Sequence, residues 1–262
     1  MNAFDRTGAA VMTACQGAGH AVRLAGEAAG TLREAWRSRH LIAAQVDLAG
    51  IGSILVLSLI AGLTGAIMVM QMGPSLETYG AMNTVGGMIG VTFTRELGPI
   101  WAAVIVLARV GSAMAAEIGT MTVNEEVEAL RVMGVNPVRY LVMPRLLALT
   151  LVMPILTAIA DLVGLAGGAL VAHLTFGVPY STFIESAIDF VHRNDFIGGL
   201  LKSLFFGAII GAIACSQGLR TQGGAEGVGR STTATVRLCV IFVLLADLVL
   251  TQTMRLLLPG RF

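Results

Sequence analysis

Charge is scarce in this chain. Asp, Glu, Lys and Arg make up 13% of its 262 residues, against about a quarter in an average soluble domain. With 55% hydrophobic residues and a mean hydropathy of +0.80, that scarcity excludes an ordinary water-soluble globule. Lysine is reduced to a single residue, Lys202, in "GGLLKS". Leu201 rather than glycine precedes it, so the phosphate-cradling pattern GxxxxGK followed by Ser or Thr is missing. Any ATP must bind a partner. The three cysteines, Cys15, Cys215 and Cys239, match neither a disulfide framework nor a metal-ligand spacing. There is no HExxH, only His173 of the four histidines lies near an apolar run, and Ser112 in "VGSA" has no recognisable base, which argues against an intramembrane enzyme. A formal net charge of +1 disfavours a nucleic-acid partner, whose binding domains are usually strongly basic on one face. Internal repeats, low-complexity tracts and a separate soluble domain are also missing.

What is present is length without charge. A bilayer core of roughly 30 Å needs about 20 helical residues, and five apolar runs meet this: Leu48 to Met72, Thr84 to Ala116, Leu141 to Leu174, Ile197 to Cys215 and Val236 to Leu258. None shows the ten-residue alternation of a membrane barrel strand. The expected fold is an all-α integral membrane protein with about five transmembrane helices. Residues 47–262 would form one membrane domain, preceded by a region 1–46.

Orientation follows from arginine, which is retained on the cytoplasmic side. Arg6, Arg23, Arg33, Arg37 and Arg39 precede the first run, Arg131, Arg139 and Arg145 lie in the second connection, and Arg220, Arg230 and Arg237 in the fourth. The expectation is a multi-pass protein with a cytoplasmic N-terminus and an external C-terminus. In the N-terminal region Val11, Val22, Leu32, Trp36 and Leu41 alternate with the bases, as in an amphipathic helix lying in the membrane interface with Trp36 as anchor.

The second run carries the unusual feature, "VTFTRELGPIWAAV". At 1.5 Å per residue, residues 84–116 would make about 50 Å of helix, longer than the hydrocarbon. Gly98-Pro99 is the expected break: Pro99 lacks the N–H that would bond the carbonyl of Arg95. That oxygen, with the Arg95 and Glu96 side chains, then needs polar company. Asp161 and Asp247 are possible mates for arginine. Ionisable groups inside spans are functional candidates, with neutralisation by a neighbouring helix as the plain alternative. Further on, Ala108, Ser112 and Ala116, and likewise Gly111 and Ala115, repeat at the four-residue spacing that lets helices approach closely. Arg109 and Glu117 are expected to be salt-bridged or to reach toward the interface.

The second connection reads "EIGTMTVNEEVEALRVMGVNPVRYLVMPR". Thr122 or Asn124 would cap a short helix within about residues 122–136, Glu125 and Glu126 occupy its first turn, and Gly134 and Pro137 stop it. Val127, Leu130 and Met133 give it an apolar stripe suited to docking on a cytoplasmic partner.

These stretches, with "ARVGSAMAAEIGTM" and "GVGRSTTATV", resemble the MlaE/YrbE family of ABC-transporter permeases, densest over residues 95–145. The resemblance implies a non-catalytic homodimeric permease of a bacterial inner membrane, carrying phospholipid between that membrane and a periplasmic MCE-domain protein. It implies cytoplasmic ABC ATPase partners that bind ATP and Mg, and often a STAS-domain regulator; no cofactor or metal is expected in this chain. It places the lipid near Arg95, Glu96 and Leu97, with Tyr79, Leu76 and Met72 upstream. It assigns coupling to the short helix, through Glu125, Glu126, Glu128, Leu130, Arg131, Met133 and Gly134. The rival reading is an ion-coupled secondary transporter or channel for an amphiphile, which also places charge inside spans.

Overall fold

The computed structural model describes residues 19–28, 30 and 39–257, which are mostly helical with no strand. Helix α1 covers residues 19–28, α2 Arg39–Thr78, α3 the continuous helical stretch Met82–Val123, and α4 Glu126–Val132. Then follow α5 (Val138–Phe176), α6 (Tyr180–Phe190), α7 (Arg193–Leu219) and α8 (Gly224–Leu257). Five of these, α2, α3, α5, α7 and α8, are long and apolar enough to cross a membrane.

The chain forms two compact units. One takes in the described residues up to Ala49, Val106–Thr150 and Gly207–Leu245; the other takes in Gly50–Ile105, Leu151–Phe206 and the described residues from Ala246 onward.

In the first unit, Leu24 and Ala28 of α1 are buried in a cluster with Ile118, Val142, Met143 and Cys215. His20 adds a 2.8 Å hydrogen bond between its Nδ1 and Ser216 Oγ. The described N-terminal helix is therefore held by protein, while Val22, expected on its apolar face, is exposed. Trp36, Val11 and Leu32 lie outside the described residues. The small-residue spacing on α3 serves packing on α7: a Cβ at Gly218 would press on Ile118, and one at Gly111 would meet Ile210 at 3.0 Å. Glu117 pairs with Arg145 at 2.7 Å, and Arg109 Nη1 donates to the Leu48 carbonyl at 3.3 Å.

In the second unit, α2 and α5 cross at reciprocal glycines. A Cβ on Gly65 would overlap the Gly164 carbonyl, and one on Gly167 the Gly62 carbonyl. In lipid, where burial gives helices little reason to associate, such close backbone packing supplies the attraction. Helix α6, which lies between the third and fourth apolar runs, packs against the start of α3: Gly87 N–H donates to Ser186 Oγ at 3.0 Å, and Phe183 is buried.

Candidate functional site

The expected break at Gly98-Pro99 is not a break. Residues Phe93–Leu97 form a π turn, and α-helix resumes at once over Gly98–Val106. Widening the turn lets the Gly98 N–H reach the Phe93 carbonyl, so the helix continues through Pro99. π turns of this kind frequently mark functional sites.

The Arg95 carbonyl accepts a hydrogen bond from Lys202 Nζ at 2.9 Å, and the same ammonium donates to Glu96 Oε2 at 2.9 Å. Asp247 Oδ1 completes the group as an ion partner, 3.0 Å from Lys202 Nζ. An ammonium has three protons to place, and here three oxygens surround it. Lys202 is 1% exposed; burying that charge is tolerable only because it is so completely matched. Glu96 is further tied by Thr251, whose Oγ1 donates to Glu96 Oε1 at 3.1 Å.

Arg95 turns elsewhere. Its Nε donates to Asp195 Oδ1 at 2.8 Å, and the Asp195 side chain is fully buried. The other carboxylate oxygen, Oδ2, accepts the backbone N–H of His192 at 3.0 Å, which fixes the carboxylate at the first turn of α7. So α3, α7 and α8 together hold Arg95, Lys202, Glu96, Asp195 and Asp247 in one intramembrane network. Two cations face three carboxylates. The Arg95 and Glu96 side chains remain 29% and 33% exposed.

Of the expected arginine mates, neither Asp161 nor Asp247 takes that place: Asp247 serves Lys202, and Asp161 sits against Gly98, whose Cβ would overlap Asp161 Oδ1. Asp195 and Lys202 were missed because their pairing spans about a hundred positions; the solitary lysine inside an apolar run was the available signal. Leu97 is half-buried in the π turn, Met72 half-buried and Leu76 buried on α2, and Tyr79 lies exposed just beyond its end.

In the first unit, the residue at the head of α4 is Glu125, not Thr122 or Asn124. Glu125 has φ 61°, in the left-handed region, which non-glycine residues seldom adopt. Thr122 is occupied: its Oγ1 donates to the carbonyls of Ile118 and Gly218. Gly134, at φ 74°, closes the helix, with Gly134 N–H on the Arg131 carbonyl and Val135 N–H on that of Leu130, as helix-ending glycines do. The expected apolar stripe divides. Val127 is buried and Leu130 half-buried, whereas Met133, joined by Val132, is largely exposed. Glu126, Glu128 and Arg131 are exposed, the last two paired at 3.1 Å.

Comparison with known proteins agrees with this architecture. The family model described as Permease MlaE matches residues 42–253. A probable ABC transporter permease protein of Synechocystis sp. is 40% identical over 210 residues, covering 80% of each chain. A probable ABC transporter permease protein of Rickettsia prowazekii is 36% identical over 212 residues, 81% of this chain and 82% of the relative. The chloroplastic protein trigalactosyldiacylglycerol 1 of Arabidopsis thaliana is 37% identical over 208 residues, 79% of this chain and 59% of that one. The chain belongs to the MlaE permease family of ABC transporters.

Proposed function

We propose that this chain moves phospholipid between a bacterial inner membrane and a periplasmic MCE-domain carrier, as a homodimer driven by two cytoplasmic ABC ATPases that bind ATP and Mg, with a STAS-domain protein as regulator. The observation that carries the reading is the intramembrane network ending in Arg95 and Glu96, where two oppositely charged side chains keep about a third of their surface open. Opposite charges on adjacent residues suit a zwitterionic headgroup. Arg95, held by Asp195, offers planar guanidinium donors to phosphate oxygens, and Glu96, held by Lys202 and Thr251, meets the positive end. With three carboxylates against two cations, a purely anionic headgroup is the poorer match. The relative named for a galactolipid supports a lipid as cargo.

Helix α4 would seat in the ATPase. Val132 and Met133 supply the exposed apolar contact, and Glu125, Glu126 and Glu128 the charge. The arginine distribution supports N-terminus inside and C-terminus outside, which a cysteine near Glu185 labelled from outside intact cells, and one near Glu126 left unlabelled, would test.

The deciding experiment is Arg95→Ala in the assembled transporter. Lipid co-purification and ATP-dependent lipid transfer fall, the ATPase still co-purifies, and Arg95→Lys restores only part of the transfer. Wild-type lipid occupancy and transfer in Arg95→Ala would overturn the headgroup role. Transfer that persists without ATP but stops when ion gradients are dissipated would favour the carrier reading instead.

A further inference from the structure

The second unit contains a cavity of about 740 Å³ bounded by α3, α5, α6 and the start of α7, whose lining includes none of the five charged residues of the Arg95 network. Its volume falls within the range of small-molecule sites, which are mostly apolar with a few placed polar groups. The wall follows that description. Leu162 and Leu165 of α5 and Phe183 and Ile188 of α6 belong to a mostly apolar lining in which Thr94 and Tyr180 carry hydroxyls and Asp161 is the one charged residue.

Asp161 is 3% exposed, and its Oδ1 has no hydrogen-bond partner among the described residues. The carboxylate cannot swing toward Gly98, because it already rests on that residue where any side chain would overlap it. Thr94, which also lines the cavity, gives its hydroxyl to the Gly90 carbonyl at 2.9 Å and leaves Asp161 unanswered. One turn earlier on the same face of α5, the buried Thr157 hydroxyl is likewise unpartnered. A buried carboxylate oxygen without a donor is costly, and its natural complement is a ligand that brings one.

We infer that this cavity binds a single-chain amphiphile whose head donates a hydrogen bond, a long-chain alcohol or amine, with the head at Asp161 and the chain along α5 and α6. A carboxylate head has no proton to donate to that oxygen and is the poorer match. The site lies within one protomer and needs neither ATPase nor carrier protein, so it stands apart from the transport reading.

The test uses the purified full-length protein in zwitterionic lipid nanodiscs and three diazirine probes of equal chain length, hexadecanol, hexadecylamine and palmitate, with labelled peptides mapped by mass spectrometry. The alcohol and amine label the segments Ala158–Ala169 and Phe183–Phe196, about tenfold more than palmitate, the scale of one charge-dependent hydrogen bond. Unlabelled hexadecanol competes, and palmitate does not. Leu165→Trp, or Ala169→Phe if that variant does not fold, abolishes labelling of these segments, and Asp161→Asn lifts palmitate to the level of the alcohol. Equal labelling by all three probes in the wild-type protein, labelling that survives filling the cavity, or no labelling, which would mean that water alone satisfies Asp161, each overturns the inference.

Discussion

Lys202 and Arg95, 107 positions apart in the chain, are joined through the backbone: the lysine ammonium donates to the arginine's main-chain carbonyl over 2.9 Å. Pro99 deprives that oxygen of its usual helical donor, and a side chain from α7 takes over. The proline and the lysine are thus two halves of one feature. Either alone would leave a buried polar group unmatched.

Removing the lysine exposes that dependence. Lys202→Met leaves the Arg95 carbonyl, Glu96 and Asp247 without their shared cation, and loss of one partner from a buried ionic group costs roughly 3–5 kcal/mol. A fall of that size should appear as a lower unfolding midpoint of the detergent-solubilised protein, followed with a thiol-reactive dye at Cys215 and Cys239. A variant within 1 kcal/mol of wild type, about the scale of an exposed ion pair, would show that the network is solvated.

Helix α1 should respond to pH. Burial, and after it the positive charges of Arg220 and Arg23, hold His20 below its ordinary value of 6.5, with Glu27 acting in the opposite direction. The docked helix therefore prefers the neutral imidazole. Docking is fully supported above the ordinary value and weakens as pH falls through it, because the undocked state then binds more protons. A spin label at Val22, which is 72% exposed, should gain mobility between pH 7.5 and pH 5.5, about one unit on either side of the free imidazole value. His20→Gln, which keeps a polar group beside Ser216 without titrating, should remove the pH dependence.

At Glu125 two properties coincide, a negative charge and a left-handed backbone, and substitution separates them. Glu125→Gly keeps the turn and removes the charge; Glu125→Val removes the charge and cannot adopt the turn without a cost of about 1–2 kcal/mol. If charge docks the ATPase, both variants lose co-purification. If the turn alone matters, Glu125→Gly retains wild-type binding and Glu125→Val does not.

Glycines that look alike in the sequence should differ in sign. Gly65→Ala forces a methyl into the Gly164 carbonyl and should destabilise by about 1–3 kcal/mol through overpacking. Gly50→Ala meets only Val152 Cγ1 at 3.7 Å, ordinary contact, so the gain in helix propensity, about 1 kcal/mol, should dominate. Paired unfolding midpoints would decide; equal shifts would remove the glycine crossing as a source of stability.

The five membrane helices were legible because hydrophobic length is a one-dimensional property, written along each run from Leu48 to Leu258. Arg95 and Glu96 stood out for the same reason, as charge where charge is expensive. Their partners did not, since nothing local connects Arg95 to Asp195 or Glu96 to Lys202. The need for polar company at the Arg95 carbonyl could be stated from Pro99 alone; that Lys202 of α7 would supply it, while the helix widened without breaking, could not. Helix α6 was passed over because eleven residues are too few to span a bilayer, and its apolar face has meaning only against Gly86, Gly87 and Gly90 of α3.

The crossing of α2 and α5 sets a limit on motion. Backbones in contact at two successive points, Gly65 on Gly164 and Gly62 on Gly167, have no side chains between them to slip or change rotamer. The two helices are keyed together like meshed teeth. A transport stroke can swing the pair as one lever, but it cannot slide one past the other, so the moving joints of the second unit must lie elsewhere.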